Sequence, residues 1–203
     1  MTAQNEPTTT REHIIRVAVH LFAVKGYTQT GMEEIAKEVG ITKPAVYYYF
    51  ESKEKLLMAI LDNIHDLQIR IMTGLIKKNL ALPDLIEETI REVIRFLNER
   101  PDWFRLMFRL SAADVELPRF VDLKKHHLED HERFHALLEP ALPGARLRPG
   151  IDAHVLTDDF MNLIIGITTR WSCLDEIPDS EEAPRRLRDM FLYGVVDNSR
   201  DVL

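Results

Sequence analysis

The chain has 203 residues, 45% of them hydrophobic and 29% charged, as expected for a globular protein of one to two small domains. No apolar run could span a membrane or serve as a signal core, and the lone Cys173 excludes an internal disulfide, so we expect a cytoplasmic protein. The net charge of −7 argues against a protein that coats nucleic acid non-specifically, although residues 1–60 are balanced at seven basic and seven acidic side chains.

The first predicted helix begins near Thr9 and ends at Gly26. Thr9 and Glu12 have the spacing of a capping box, in which each side chain accepts a hydrogen bond from the other residue's amide. An apolar stripe at helical spacing follows, and we expect it to close the core of a three-helix domain. The stripe consists of Ile14, Ile15, Ala18, Leu21 and Phe22.

Residues 30–53 contain two short predicted helices joined by a glycine turn. Thr30 and Glu33 have capping-box spacing, and Gly40 stands where a helix end usually needs a left-handed residue. Thr42 can cap the second helix, whose first turn tolerates Pro44 because the first amides of a helix have no partner within it. A helix, a turn and a second helix, here at about residues 31–50, form the arrangement that places the second helix in a DNA major groove.

Two lysines and a run of tyrosines suit this segment to DNA. Lys43 and Lys53 each lie in the first turn of a helix, where the helix dipole disfavours a cation by about 0.3–1 kcal/mol. A lysine placed there is explained if it faces a phosphate held near helix amides. Tyr47 and Tyr48 follow Lys43 and Pro44 by four residues and share their exposed face. The alternative is that the tyrosines are core aromatics and the lysines are solvated.

Four motifs fall within residues 9–64: T-R-E, L-F-A-V-K-G-Y, T-x-x-x-E-I-A-x-x-x-G and K-x-x-x-Y-Y-Y-F-x-S-K. With them this segment resembles the DNA-binding domain of the TetR family, the tetracycline-repressor-like bacterial regulators. The resemblance implies an all-helical dimer that binds operator DNA and is usually released by a small ligand. Pro44 stands where glycine is frequent in the family and Tyr49 where histidine is frequent, which leaves the preferred base sequence open. The DNA contacts that the resemblance implies are Thr30, Gly31, Thr42, Lys43, Pro44, Ala45, Tyr47, Tyr48 and Lys53.

The helical patterns and the resemblance together predict an all-α protein of two domains. A helix-turn-helix DNA-binding domain is expected at residues 8–68, and a helical effector-binding and dimerisation domain at residues 69–203. A long helix from Lys53 to about Leu80 should join them. The further predicted helices cover residues 84–99, 102–115, 118–140 and 152–173, with a final one after residue 184 that ends near Asn198. The helix at 102–115 has apolar residues on nearly all sides and is expected to be buried or to line a cavity.

The last two predicted helices carry more apolar surface than one core of this size needs. A two-fold contact between copies is the commonest way to bury such surface. The resemblance implies the same, since family members usually dimerise through their last two long helices, and two heads related by a two-fold axis would read a palindromic operator. The predicted interface consists of Phe160, Ile164, Ile167, Leu187, Met190, Phe191 and Gly194.

Large aromatic and methionine side chains in the middle and carboxy-terminal parts of the chain suit an apolar or aromatic effector, because methionine adapts its shape to a ligand. The alternative for each of these residues is plain core. The predicted ligand site consists of Trp103, Met107, Phe108, Phe120, Phe134, Met161 and Trp171.

His127, His131 and His135 recur every four residues, and histidines four apart on a helix can chelate a transition metal. The third histidine reaches the same ion poorly, so a solvated or ligand-facing stripe is favoured. No metal and no cofactor is therefore predicted. The sequence contains no P-loop, no glycine-rich dinucleotide turn and no nucleophile elbow, and we expect that the protein is not an enzyme.

Two classes of function remain after these observations. The favoured one is a ligand-responsive transcriptional regulator, in particular a repressor that binds double-stranded operator DNA as a homodimer. The alternative is a helical interaction protein that keeps the fold but binds a protein partner. Lys43 and Lys53 distinguish the two, because an adaptor has no reason to keep cations against two helix dipoles.

Overall fold

The computed structural model describes residues 9–111, 123–143, 145–174, 179 and 181–195. In these ranges the chain is all-α, as predicted, and none of the helices has the length and apolar character needed to cross a membrane. The helices are α1 Thr10–Lys25, α2 Met32–Val39, α3 Lys43–Tyr49, α4 Lys53–Lys77, α5 Leu82–Glu99, α6 Pro101–Ser111, α7 Leu123–Leu138, α8 Ala153–Leu174 and α9 Glu182–Val195, with a 3-10 turn at Glu139–Ala141.

The chain divides into two compact units, and the division does not follow a single cut in the sequence. Unit 1 is Met1–Asp66 together with Asp102–Val121, and unit 2 is Leu67–Pro101 together with Asp122–Leu203. The helix α4 runs without a break through the boundary at residues 66 and 67. The functional boundary expected between residues 68 and 69 stays a prediction.

The core of unit 1 forms from the amino-terminal helices as their patterns predict. The capping box of α1 is confirmed, since the amide of Thr9 donates to Glu12 Oε2 at 2.9 Å and the amide of Glu12 donates to Thr9 Oγ1 at 3.3 Å. Gly26 ends the helix with a φ of 94°. The whole predicted stripe of α1 is buried, and so are Ile35 of α2, Val46 of α3, Phe50, and Leu56, Leu57 and Ile60 of α4.

The helix α6 contributes to unit 1 through polar contacts with α1. His20 Nδ1 lies 2.8 Å from Asp102 Oδ2, and the guanidinium of Arg109 donates to the carbonyl of Val24 at 3.1 Å. Only one face of α6 is fully buried, since Leu106 and Leu110 are buried while Phe108 is exposed. The helix is therefore not buried on all sides, and the alternative expectation, that it lines a cavity, stays a prediction.

Unit 2 is assembled around α5, which packs on α9 and α8, and around α7, which packs on α8. The predicted stripe of α5 is buried at Ile86, Ile90, Ile94 and Leu97, while Val93 is half-buried. At the centre of the unit Phe160 of α8 is fully buried, with its ring centroid 5.4 Å from that of Phe191 and 6.2 Å from that of Phe134.

Candidate nucleic-acid interface

The helix α2 begins at Met32, one residue later than the sequence suggested. Its N-cap is Gly31, and no side chain caps it. The predicted capping box of Thr30 and Glu33 is therefore wrong. One of the two hydrogen bonds of a capping box forms one residue later, since the carboxylate of Glu34 accepts a hydrogen bond from the amide of Gly31. The second bond is missing because glycine has no side chain that could cap the helix. The hydrogen bond from Lys25, and to a lesser extent the Gly31 amide, lowers the pKa of Glu34.

Thr30 lies in the interior of unit 1, with 1% of its surface exposed. Its hydroxyl donates to the carbonyl of Gly26 at 2.9 Å and lies 3.3 Å from the carbonyl of Leu21. These contacts place the Thr30 hydroxyl against the carboxyl end of α1 and bond it to the carbonyl of the C-cap residue Gly26. The Thr30 side chain therefore closes the turn between α1 and α2 and is not part of the molecular surface.

The turn between α2 and α3 and the start of α3 are as predicted. Gly40 adopts a left-handed conformation, φ 81° and ψ 28°, and its amide donates to the carbonyl of Ala36 at 3.0 Å. Thr42 caps α3, since its hydroxyl accepts from the amide of Ala45 at 3.3 Å. Pro44 occupies the first turn, where its missing amide leaves no hydrogen bond unmade.

The seven-residue helix α3 is anchored on one side and open on the other. Val46 and the C-cap Phe50 are buried in the core of unit 1. Tyr47 and Tyr48 are exposed, and Tyr48 has 84% of its surface free. Tyr49, which received no role from the sequence, is also exposed, and its ring meets that of Tyr48 edge-on with centroids 5.4 Å apart. The three consecutive tyrosines are thus exposed on a helix whose other side is fixed in the core by Val46 and Phe50.

The two lysines of the segment differ sharply in their surroundings. Lys43 is exposed, and its ammonium is 3.4 Å from a carboxylate oxygen of Glu33, an exposed ion pair that contributes little to stability. It can turn toward a phosphate at small cost. Lys53 is half-buried, and its ammonium donates to the carbonyls of Tyr27 at 2.8 Å, Thr30 at 3.0 Å and Thr28 at 3.4 Å.

The predicted DNA contacts therefore fall into two groups. Ala45 is half-buried on α3, and the side chains of Thr30 and Lys53 are held by main-chain carbonyls of unit 1. No local signal could have revealed the bond between Lys53 and Tyr27, because 26 residues separate them. The exposed members are Gly31, Thr42, Lys43, Pro44, Tyr47 and Tyr48.

The residues of the predicted ligand site are distributed over both units. In unit 1, Trp103 and Met107 are half-buried and Phe108 is exposed; Phe120 lies outside the described residues. In unit 2, Met161 and Trp171 are buried and Phe134 is half-buried. A cavity of about 630 Å³ lies elsewhere in unit 2, with a mostly charged lining of Lys78, Leu80, Asp84, Glu87, Glu88, Arg185 and Arg188. The predicted apolar site stays a prediction.

The predicted dimer residues also separate when their burial is compared. Phe160 and Ile167 are buried within unit 2, so the structure assigns them to its core and not to a surface that a second copy could reach. Ile164, Leu187 and Phe191 are half-buried. Met190, at 68% exposure, and Gly194 lie at the surface. Three further apolar side chains of these helices, which the sequence did not place in the interface, are exposed: Val155, Ile165 and Tyr193.

Two histidines of the α7 stripe, His131 and His135, each contact a residue of α8. His131 Nε2 lies 2.7 Å from Asp158 Oδ1, and the ring of His135 stacks on that of His154 with centroids 4.2 Å apart. The side chain of His127 lies outside the described residues. Among the residues that the structure does describe, no group of three or more histidine, cysteine or acidic side chains is placed to hold a metal ion.

A short capped helix with exposed tyrosines, seated on two others and followed by a separate helical unit, defines a helix-turn-helix DNA-binding protein. The family model for bacterial regulatory proteins of the tetR family matches residues 14–60. At residues 14–60 the chain therefore carries a DNA-binding domain of the tetR type, as its motifs predict, and it is a DNA-binding transcriptional regulator.

The similarity to known proteins extends beyond residues 14–60. The chain is 24% identical over 200 residues to the uncharacterized HTH-type transcriptional regulator YdgC of Bacillus subtilis, covering 95% of each chain. It is 26% identical over 163 residues to IcaR, the negative transcriptional regulator of the biofilm operon icaADBC in Staphylococcus epidermidis, covering 79% of this chain and 81% of IcaR. The crystal structure of the transcriptional regulator FadR from Bacillus subtilis in complex with stearoyl-CoA matches with a TM-score of 0.73 at 20% identity, over 90% of this chain and 97% of FadR.

Proposed function

We propose that the protein is a cytoplasmic repressor that binds a palindromic operator as a homodimer, with α3 of each subunit in the major groove, and that it has no catalytic role. The observation that carries the proposal is the exposed face of α3, which is held in place by buried Val46 and Phe50. Repression is supported by the likeness to IcaR, whose name describes a negative transcriptional regulator.

The exposed side chains of the head suggest distinct roles on DNA. Tyr48 projects furthest, and with Thr42 and Ala45 it is nearest the base edges in this proposal. Lys43 and Tyr47 would contact phosphates on either side of the groove. Gly31 leaves the amino end of α2 without a side-chain cap, so its first amides can approach a phosphate closely.

The proposed dimer surface is made by exposed residues of α8 and α9. Ile165 and Gly166 lie on α8, and Met190, Tyr193 and Gly194 lie on α9. Exposed apolar side chains of this size are usually covered in the functional assembly, and the two glycines would let helices of two copies approach closely. The surface differs from the sequence-based one, since it replaces buried residues of α8 with exposed ones.

An apolar or aromatic effector remains our proposal for what releases the protein from DNA. The FadR structure is of a complex with stearoyl-CoA, a ligand with a long apolar chain. The helix α4 would connect the two events, because it begins beside α3 and continues into unit 2. Major-groove half-sites lie roughly 34 Å apart or a multiple of that, so a change of a few ångströms in head spacing breaks the contacts of one head.

The test of DNA binding is selection of bound sequences from random duplex DNA, followed by affinity measurements with Tyr48→Phe. We expect a palindromic consensus. The variant should lose affinity for that consensus and much less for random duplex, because a hydroxyl that reads a base contributes only where the base is correct. Tyr49→Phe is the matched control: it removes the hydroxyl of the neighbouring exposed tyrosine of α3, to which no base contact is assigned, and should leave the ratio of the two affinities unchanged. Equal losses on both duplexes would remove the base-reading role of Tyr48.

The alternative of a protein-binding adaptor is decided by the same selection. Lys53 no longer distinguishes the two readings, because its position is explained by its bonds within unit 1. Enrichment of no sequence, at a salt concentration where the protein is folded, would favour the adaptor.

The effector proposal is tested by calorimetric titration of a candidate ligand into the free dimer and into its complex with the selected duplex. By linkage, DNA must weaken ligand binding by the same factor that the ligand weakens DNA binding, typically about 5–150-fold. Equal affinities in the two titrations would exclude that ligand as an inducer. Tighter binding to the complex would make it a co-repressor.

A further inference from the structure

The ammonium of Lys53 is enclosed by the turn that joins α1 to α2. Its three acceptors are the carbonyls of Tyr27 at 2.8 Å, Thr30 at 3.0 Å and Thr28 at 3.4 Å. The nitrogen also lies 4.3 Å from the centroid of the Tyr27 ring, within range of a cation–π interaction. A lysine ammonium has three N–H groups and no acceptor, so this set uses all of its hydrogen-bonding capacity.

This cage resolves the conflict between Lys53 and the dipole of α4. A cation in the first turn of a helix is disfavoured by the helix amides, and burial lowers the pKa of Lys53 because it penalises the charged form. Three carbonyl dipoles and the face of the Tyr27 ring stabilise the charge and offset these effects. The phosphate that would otherwise explain a lysine at this place is therefore not needed.

The same turn is also held by the side chain of Thr30, whose buried hydroxyl donates to the carbonyl of Gly26. The turn ends at Gly31, the N-cap of α2, and α2 packs directly against α3. Fixing the turn therefore fixes where α2 begins and, through α2, the placement of the recognition helix.

We infer that Lys53 is a positioning residue of the DNA-binding head: it ties the α1–α2 turn to the start of α4 and does not itself bind phosphate. The inference rests on the proposed DNA binding for its functional consequence. The cage itself is independent of DNA. Lys43, which is exposed and makes one long ion pair, is the phosphate-binding lysine of the segment.

The first test compares Lys53→Met with the matched variant Lys43→Met in the full-length protein. Both substitutions keep an unbranched apolar stem and remove the charge. In the free protein, Lys53→Met should make amide exchange in residues 27–34 at least about tenfold faster, because the turn opens locally, while Lys43→Met leaves it unchanged.

The second measurement is the salt dependence of affinity for the duplex selected above. Lys43→Met should reduce the slope of log K against log salt concentration by about 0.9 for each head, the value for one lost phosphate contact. Lys53→Met should lower affinity with the slope unchanged. A slope reduced by the same amount in Lys53→Met, together with unchanged exchange, would overturn the inference.

Lys53→Arg keeps the inference testable if the methionine variant does not fold. Arginine retains the charge, but its planar guanidinium cannot direct three donors to three converging carbonyls. A positioning role predicts faster exchange in residues 27–34 and lower affinity at an unchanged slope. A phosphate-binding role predicts wild-type affinity and exchange, and that result would contradict the cage. The exchange measurements stand even if the wild type selects no DNA sequence, so the two proposals fail separately.

Discussion

The recognition surface on α3 and the exposed surface on α8 and α9 are built in opposite ways. The helix α3 has seven residues, and only Val46 among them is fully buried, so nearly every other side chain faces outward. The helices α8 and α9 have 22 and 14 residues and divide their apolar side chains between the core of unit 2 and the surface. A short capped helix therefore reveals its exposed residues from sequence, whereas a long apolar helix does not.

The contrast is clearest between Phe160 and Met190, which the sequence placed in one interface. Phe160 is fully buried against Phe134 and Phe191, whereas Met190 is 68% exposed. Substitutions at these two positions should therefore damage different properties. Loss at Phe160 should act on the folding of unit 2, and a charge at Met190 should act on the association of two copies.

The largest effect is expected for Met190→Glu. If this surface is the dimer contact, each copy would bury an unpaired carboxylate, with an effective penalty of several kcal/mol for each ion, roughly enough to turn a tight dimer into monomers at micromolar concentration. Light scattering at that concentration measures the change. The matched control is Ile76→Glu, which places the same charge on an exposed isoleucine of α4 and should remain dimeric. A dimeric, folded Met190→Glu protein would move the contact to another surface.

Phe160→Ala should instead lower the free energy of unfolding of unit 2 by about 3–5 kcal/mol, because it removes both ring contacts and leaves a cavity. Urea unfolding followed by circular dichroism measures this, at several protein concentrations so that the contribution of association can be separated. Val155→Ala, at an exposed position of the same helix outside the proposed dimer surface, should cost much less stability. A small loss for Phe160→Ala would mean that the ring is not central to the core.

Local signals predicted most of the head correctly. The capping box of α1, the left-handed Gly40 and the Thr42 cap each depend on residues within about four positions of one another, where spacing alone fixes the geometry. The sequence was wrong at Thr30 because α2 begins one residue later, with Gly31 as its N-cap, and the Thr30 side chain lies in the interior of unit 1. A capping pattern alone does not show that a side chain is buried.

Contacts between distant parts of the chain explain what the sequence could not predict. The acceptors of Lys53 lie 23 to 26 residues earlier, so a dipole argument alone favoured phosphate as its partner. His131 and His135 read as a solvated or ligand-facing stripe, but each faces a partner on α8. The helix α8 has more apolar residues than the core of unit 2 buries. Which of them are buried depends on how α5 and α7 pack against the helix, and the sequence of α8 alone does not show this.

A smaller effect is expected at the carboxylate beside Lys43. Glu33→Gln removes the ion pair and a negative charge near the recognition helix, so all duplexes should bind more tightly, by about 0.3–1 kcal/mol. Fluorescence anisotropy at low salt should reveal the gain, which should shrink as salt screens the interaction. The control Glu99→Gln changes the net charge equally at an exposed position of α5. Weaker binding of Glu33→Gln would mean that the carboxylate orients Lys43 for DNA.

The smallest effect on stability is expected at the N-terminal caps of α3 and α8, which differ in charge. The helix α3 is capped by the neutral hydroxyl of Thr42, whereas α8 is capped by the carboxylate of Asp152, which accepts from the amides of His154 at 2.9 Å and Val155 at 3.0 Å. The Val155 amide first, and the His154 amide next, lower the pKa of Asp152 below its ordinary value.

Because that pKa is lower in the folded protein than in the unfolded chain, the unfolded chain binds more protons between the two values. The stabilisation is therefore present above the unfolded pKa of about 3.9 and is lost as the pH falls through the folded one. Asp152→Asn keeps a good cap that does not titrate, so its deficit in unfolding free energy relative to wild type should shrink as the pH falls from about 5 to 2.5. Urea unfolding across this range measures the deficit, with Asp159→Asn on the exposed face of α8 as the control. A deficit that stays constant with pH would show that the Asp152 carboxylate gains nothing over a neutral cap.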